Sequence, residues 1–198
     1  MGNPQKAVAY IEIEDYLVLE EASQYKHEYL DGVIYAIQGE PMRGMAGGSQ
    51  AHVRLIRNAT IALHSKLQGS GCEALASDMR LRISDDAVFY PDVLVHCDPS
   101  LAPVAVTELT DAKLVLEVLS PTTQHFDRGA KLQSYQQLPG LMHILLLSGM
   151  RQEAWACHRG PDGLWSPLEP WAKGSTLQLP SLEIALDWEE VYGGVGLS

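Results

Sequence analysis

Two carboxylates interrupt two apolar, strand-like segments, and this feature constrains the fold of the chain more than any other. Glu117 lies inside Leu114–Leu119, where the five remaining residues are all leucine or valine. Asp92 directly precedes the run Val93–Val95. An acid in such a segment is costly to bury unless a cation or a hydrogen-bond donor compensates it. The simplest compensation is a divalent metal ion that both acids hold.

The order of the predicted elements favours an α/β (α+β) fold with a mixed sheet. Residues 11–24 predict an amphipathic helix, and Asp31-Gly32 predicts a hairpin turn between two apolar runs. Ser49 is placed to cap a helix that extends to about Leu67. A second long helix is predicted over residues 124–138, and strands are predicted over residues 72–83, 89–97, 113–119, 142–147, 152–157, 164–168, 176–179 and 182–186.

Strand periodicity predicts where the two acids point. Alternation places Glu117 on the same face as Val115 and Leu119. If the strand that Asp92 begins lies beside it, the two carboxylates converge, and their hard oxygen atoms suit magnesium or manganese. An alternative stays open: Asp92 caps a turn, and Glu117 pairs with a buried arginine or lysine.

The helix after these strands adds a lysine. Asp127, Lys131 and Tyr135 are spaced four residues apart, so they share one helix face. We expect Lys131 to lie on the side that faces the sheet, where it either extends to solvent or contacts the carboxylates. An exposed ion pair between Asp127 and Lys131 is the alternative.

Several short motifs follow one another in a specific order. They are Lys26–Gly32, His52 on the next helix, Pro91-Asp92-Val93, Glu117–Thr123 and Asp127-x-x-x-Lys131-x-x-x-Tyr135. From about residue 12 to 192, this order and spacing resembles the Uma family of restriction-endonuclease-like proteins in the PD-(D/E)XK superfamily. The resemblance implies one restriction-endonuclease-like domain over residues 1–198, with a mixed β-sheet core flanked by helices and additional C-terminal strands.

The chain departs from the parent superfamily pattern at one position. That pattern has a lysine two residues after the glutamate, where this chain has Leu119. The Uma family resembles this chain in carrying its lysine on the following helix, which makes Lys131 the migrated lysine. Glu28 matches the early acidic residue of the family. Residues 142–148 differ from the Glu-Tyr-Trp-like start and the late Asp that relatives usually carry.

The resemblance implies a set of site residues and a mechanism. Its catalytic residues are Glu28, Asp92, Glu117 and Lys131; its magnesium (or manganese) ligands are Asp92, Glu117 and the backbone carbonyl of Val118; and its substrate-binding residues are His52, Ser120 and Asp127. The metal activates a water molecule, Glu28 orients or deprotonates that water, and Lys131 stabilises charge at the phosphate. A purely structural role for the helix histidine stays open.

The implied function is metal-dependent hydrolysis of nucleic-acid phosphodiester bonds, and we expect DNA as the substrate and a homodimer as the assembly. The formal net charge of -11 argues against a broad basic surface for nucleic acid. A catalytically inactive nuclease-fold module for binding or regulation is therefore the alternative. A hydrolase that acts on a small phosphoester is a third, weaker alternative.

Cysteine usage and hydropathy bear on location. Cys72, Cys97 and Cys157 are widely spaced, which suggests neither a disulfide framework nor a zinc site. We expect all three to be small core residues in a reducing, cytoplasmic protein. No apolar run approaches the roughly 18 residues of a membrane helix, so no membrane partner is expected.

Overall fold

The computed structural model describes residues 10–36, 49–98 and 106–197. Its helices are α1 (Ile13–Ala22), α2 (Gln50–Lys66), α3 (Gln124–Phe126), α4 (Leu132–Tyr135) and α5 (Trp188–Tyr192), with a π-helical turn at Asp127–Lys131 and a 3-10 turn at Pro180–Leu182. Its strands are β1 (His27–Leu30), β2 (Val33–Ala36), β3 (Cys72–Ala76), β4 (Arg80–Ser84), β5 (Ala87–Phe89), β6 (Val93–Cys97), β7 (Glu108–Leu109), β8 (Leu114–Leu119), β9 (His143–Ser148), β10 (Ala154–His158), β11 (Glu169–Trp171), β12 (Thr176–Leu179) and β13 (Ile184–Asp187).

The strands of the described residues form three sheets. The largest has the order β11-β10-β9-β8-β6-β3, the second has the order β2-β1-β5-β4-β7, and β12 pairs with β13. In the largest sheet, β8 and β9 run parallel and the neighbouring pairs run antiparallel. This mixed sheet with helices and added C-terminal strands is the predicted α+β architecture.

Strand β8 lies at the centre of the largest sheet and is buried along its whole length. Leu114, Leu116 and Val118 pack into an apolar cluster with α2 and α5. Val115 and Leu119 pack into a second cluster with α4 on the opposite face. The predicted alternation is therefore confirmed, and it directs Glu117 toward the α3–α4 side of the sheet.

The structure confirms two local predictions, a hairpin turn and a helix cap. Asp31 and Gly32 both have positive φ angles, 49° and 77°, as a two-residue hairpin turn of this handedness requires. The Ser49 hydroxyl accepts a hydrogen bond from the His52 amide at 3.2 Å and so caps α2. The glycine-rich segment 39–48 lies outside the described residues.

Some predicted elements are interrupted or displaced in the structure. The strand predicted over residues 72–83 is two strands, β3 and β4, which belong to different sheets. The segment predicted as one strand over residues 89–97 is interrupted: β5 ends at Phe89, and β6 begins at Val93. The helix predicted over residues 124–138 is broken at Gly129, whose φ and ψ angles are not helical. The strand predicted at 164–168 instead occupies Glu169–Trp171.

The expectation for the cysteines is wrong for two of the three. Cys72 and Cys97 form a disulfide between β3 and β6, while Cys157 is a buried free thiol. Antiparallel register places Cys72 directly opposite Cys97, although they are 25 residues apart in sequence. Sequence spacing does not reveal such a pairing, because it depends on which strands become neighbours.

The helices of the described residues include none that is both long enough and apolar enough to cross a membrane.

Candidate active site

One cavity of about 230 Å³ brings the predicted site residues together. The predicted residues that line it are Glu28, His52, Asp92, Glu117, Val118, Ser120, Asp127 and Lys131. They come from both large sheets, from α2 and from the segment after β8. Convergence of residues so far apart in sequence is what the predicted site requires.

Antiparallel pairing of β6 with β8 brings the two central acids together. Val93 is the partner of Leu116, so Asp92, one residue earlier, stands beside Glu117. The Val118 amide donates a hydrogen bond of 2.7 Å to Asp92 Oδ2. This contact orients the Asp92 carboxylate at the cavity wall.

Lys131 is buried between carboxylates, with only 4% of its surface exposed. Its Nζ lies 2.6 Å from Glu28 Oε1, 2.8 Å from Glu117 Oε1 and 4.0 Å from Asp127 Oδ1. The alternative of an exposed Asp127–Lys131 pair is wrong, because both side chains are buried. The alternative that Glu117 pairs with a buried lysine describes the observed contact.

The segment that carries Lys131 is irregular. A kink at Gly129, whose φ and ψ angles are not helical, lies before Lys131, and α4 continues to Tyr135 on the same face. The Tyr135 hydroxyl donates a hydrogen bond of 2.6 Å to Glu117 Oε1. Lys131 and Tyr135 therefore both reach Glu117 from the segment that follows the kink.

Glu28 joins the second sheet to the site. It lies on β1, is 7% exposed and accepts a hydrogen bond of 3.3 Å from the Tyr90 amide. The ion pair with Lys131 therefore ties β1 to the helical segment that covers β8.

His52 lies in the first turn of α2 and points at Asp92. Its Nε2 is 3.4 Å from Asp92 Oδ1. Burial alone lowers the pKa of His52, but the hydrogen bond and the charge of Asp92 outweigh it and raise that pKa above its usual value. The His52 side chain is therefore held in the site by an acid.

Ser120 and Asp127 lie on the wall formed by the turn after β8. The Ser120 hydroxyl contacts the hydroxyls of Thr122 and Thr123 at 3.0 Å each. The Asp127 amide donates to the Thr123 carbonyl at 2.9 Å, and its carboxylate is buried. Both residues line the cavity.

Negative charge is in excess around Lys131, which is the one lysine among the described residues of the cavity wall. Burial raises the pKa of Glu117 to about 8, against the lowering effect of Lys131, and the charges of Asp92 and Asp127 add to the increase. Burial likewise raises the pKa of Asp127. The pKa of Lys131 is raised because its neighbouring carboxylates outweigh the effect of burial, so the ammonium stays charged.

The donor set can be compared with what a divalent ion requires. Across the described ranges, no group of three or more His, Cys, Asp or Glu side chains is arranged to hold a metal ion. Asp92 and Glu117 nevertheless supply two hard carboxylates at one cavity. Magnesium is commonly held by one or two carboxylates, with water and substrate phosphate completing its shell. The chemistry of this pair fits such an ion.

Sequence reasoning missed part of the cavity wall. The further lining residues are Tyr35, Ala36, Tyr90, Thr122, Thr123 and Phe126. The spacing of Tyr135 predicts that it shares a helix face with Lys131, but its contact with Glu117 is not among the predictions. The four-residue interval from Lys131 to Tyr135 is the signal that points to this contact.

Comparison with known proteins identifies the family of this chain. The sequence model of the Uma2 family, described as "Putative restriction endonuclease", matches residues 13–189. The chain belongs to the Uma2 family. Uncharacterized protein slr1290 of Synechocystis sp. is 34% identical over 183 residues, which cover 92% of this chain and 91% of that protein. Uncharacterized protein sll1609 of the same organism is 28% identical and covers 86% of this chain and 93% of its own.

A solved structure is similar to this Uma2 protein in fold. It is the crystal structure of "a putative nuclease belonging to DUF820" from Anabaena variabilis ATCC 29413. The TM-score is 0.72 at 17% sequence identity, over 93% of this chain and 99% of that one. The nuclease-like fold expected from the sequence is therefore confirmed.

Proposed function

We propose that this Uma2 protein is a metal-dependent endonuclease that hydrolyses phosphodiester bonds of nucleic acid, with DNA as its substrate. The observation that supports it most is the buried Lys131 ammonium, which contacts Glu28 and Glu117 at the wall of a cavity that Asp92 also lines. A charged lysine beside two strand-borne acids is the arrangement that attack on a phosphodiester needs.

Asp92 and Glu117, with the Val118 carbonyl, would hold magnesium or manganese. When bound, the ion would polarise a phosphoryl oxygen and lower the pKa of a coordinated water. The Val118 amide fixes the orientation of Asp92, and the Tyr135 hydroxyl fixes that of Glu117. The donors are therefore oriented by hydrogen bonds before any ion binds.

The remaining residues act on substrate and water. Lys131 would stabilise negative charge that develops on the phosphate. Glu28, which contacts the same ammonium from the opposite sheet, would orient or deprotonate the attacking water. His52, Ser120 and Asp127 line the cavity and would contact the phosphate or the leaving oxygen.

An inactive binding or regulatory module remains the second candidate function. One observation favours it: Glu28 and Glu117 already engage the Lys131 ammonium at 2.6 and 2.8 Å. The net charge of -11 also opposes long-range attraction of nucleic acid. In this second reading the acids and the lysine neutralise one another and serve stability alone.

Assembly and location belong to the same proposal. We propose a homodimer, in which each protomer would supply one site. We also propose a cytoplasmic location, although the Cys72–Cys97 disulfide removes the argument that cysteine usage supplied for it.

Metal binding and cleavage are measured together to test the proposed function. Calorimetric titration of magnesium or manganese, with and without inorganic phosphate, compares the wild type with the double variant Asp92→Asn/Glu117→Gln. We expect binding only in the wild type. In a cleavage assay with plasmid and with single-stranded oligonucleotides, Glu117→Gln should lose metal-dependent cleavage, while Glu21→Gln, an exposed acid of α1 outside the cavity, keeps it.

Three outcomes contradict the proposed function. Cleavage at the full rate in Glu117→Gln would remove this acid from the mechanism. Nucleic-acid binding without cleavage at any divalent ion would favour the inactive module. Turnover of a model phosphodiester without any nicking of DNA would instead indicate small-ester chemistry.

A further inference from the structure

Two of the aromatic rings on the wall of the cavity that holds the acids contact each other. Tyr35 and Phe126 both line it, and their ring centroids are 4.9 Å apart with an interplanar angle of 31°. Tyr35 is 38% exposed, so part of its ring faces solvent. The mechanism proposed above gives neither ring a role.

Strand register places this aromatic pair next to the acids. Tyr35 is the direct partner of Glu28 in the antiparallel β1–β2 pair. Side chains directly opposite one another share a face, with Cβ atoms about 4.5–5.5 Å apart. Phe126 immediately precedes Asp127. The rings therefore border the place where the phosphate would bind.

A row of tilted and edge-on rings supports the exposed one. Phe126 contacts Phe89 at 6.2 Å, and Phe89 contacts Tyr135 at 5.3 Å between centroids. Tyr135 in turn donates its hydrogen bond to Glu117. The Tyr35 ring is thus the outer end of a packed aromatic row that reaches the acids, which limits its movement before any ligand binds.

The charge around the cavity argues against affinity that depends on phosphate contacts. Among the described residues that line the cavity, Lys131 is the single lysine or arginine, and acids already contact it. Proteins that bind duplex DNA obtain much of their affinity from lysine and arginine contacts to phosphates. Aromatic stacking is an independent source, worth about 1–3 kcal/mol per base.

We infer that Tyr35 is a stacking platform for an unpaired base beside the scissile phosphate, so that the site accepts single-stranded nucleic acid. The cavity of about 230 Å³ is smaller than the roughly 300–1,000 Å³ of typical ligand pockets, so a phosphate enters it and the adjoining base stays at Tyr35. A base held in a duplex has no free face for this ring. The inference rests on the proposed function, because it assigns the substrate of the same site.

Binding of labelled oligonucleotides, measured by fluorescence anisotropy in EDTA, tests this without any cleavage. The probes are a short single strand of DNA, its RNA counterpart, its duplex, and the same DNA strand with abasic positions. We expect wild type to prefer the base-containing single strands, and the abasic strand to bind about tenfold or more weakly, from the stacking free energy.

Variants of two tyrosines separate stacking from folding. Tyr35→Leu keeps an apolar side chain without a π face and should weaken single-strand binding about tenfold or more. Tyr35→Phe should restore single-strand binding. Tyr25 is an exposed tyrosine outside the cavity wall, so Tyr25→Leu should bind as wild type does. Thermal melting of each variant shows whether it is folded.

The result that overturns the inference is wild-type affinity in Tyr35→Leu, or equal wild-type affinity for abasic and base-containing strands. If this occurs while Glu117→Gln has lost cleavage, the nuclease proposal stands and the stacking platform is wrong. If Tyr35→Leu loses binding and no divalent ion supports cleavage, the platform stands and the nuclease proposal is wrong.

Discussion

The parallel strands β8 and β9 carry buried ionisable groups at both ends of the pair. The groups at the two ends have different contacts. Toward the carboxyl end, Glu117 is 4% exposed and contacts Lys131 and Tyr135. At the amino end, His143 is 2% exposed; its Nδ1 lies 2.7 Å from His158 Nδ1 and its Nε2 lies 2.7 Å from Ser181 Oγ. Glu117 and His143 are buried to nearly the same extent, so the difference between the two ends comes from the groups that each side chain contacts.

Charge survives burial only where a counter-charge is present. Carboxylates raise the pKa of Lys131 against the effect of burial, so this end stays ionic. Burial and the neighbouring His158 lower the pKa of His143 to about 4, so the other end is neutral at physiological pH. The ionic end lines the cavity and the neutral end does not. The comparison separates a candidate reactive site from a buried polar contact with a structural role.

Removal of the buried Lys131 ammonium should cause the largest loss of stability. Lys131→Met leaves Glu28 and Glu117 buried without their partner, and we expect a loss of about 3–5 kcal/mol in the free energy of unfolding. Urea denaturation measures it. Adding Glu117→Gln to this variant should restore part of the loss, because it replaces one of the two buried acids that have lost the ammonium.

A surface ion pair provides the matched control for this lysine. Lys66 lies 2.9 Å from Glu190, and its side chain is 28% exposed. Lys66→Met should cost less than about 1 kcal/mol. Equal losses in the two variants would mean that the ionic end of the strand pair is no different from the protein surface.

Acid should destabilise the neutral end next most strongly. Because the pKa of His143 is about 4 in the folded protein and 6.5 ordinarily, the unfolded chain binds more protons between these pH values. Stability from this group is present above pH 6.5 and is lost as the pH falls toward 4, by up to about 3 kcal/mol. Urea denaturation at several pH values should show a shallower slope in His143→Gln than in wild type. Identical slopes would show that His143 titrates normally.

The smallest expected difference compares one hydroxyl from each end. Tyr135→Phe removes a hydrogen bond to the Glu117 carboxylate and should cost about 1.5–3 kcal/mol. Ser181→Ala removes a hydrogen bond to the neutral His143 at an exposed position, where water can replace the hydroxyl, and should cost about 1 kcal/mol or less. Denaturant midpoints at neutral pH measure both. A larger loss in Ser181→Ala would reverse the ranking of the two ends.

Local patterns were sufficient for several parts of this protein. Period-two alternation predicted the face of Glu117, the Asp31-Gly32 pair predicted the hairpin, and Ser49 predicted the helix cap. Four-residue spacing placed Lys131 toward the sheet. Each of these features depends on neighbours within a few residues, which the chain specifies directly.

Other features depend on which distant segments become neighbours. The disulfide between Cys72 and Cys97 follows from strand pairing, and the split of residues 72–83 between two sheets follows from sheet packing. The kink at Gly129 interrupts a segment whose periodicity predicts an uninterrupted helix. Periodicity reports faces and does not report strand order, so none of these could be read from it.

The sequence by itself determined the acids, the lysine and the family to which their order belongs, because chemistry and spacing are properties of the chain. Tertiary structure alone decided that Glu28 crosses from the second sheet to contact Lys131, and that Tyr35 meets Phe126 at the cavity. These contacts join residues about a hundred positions apart, and only sheet packing brings such residues into contact.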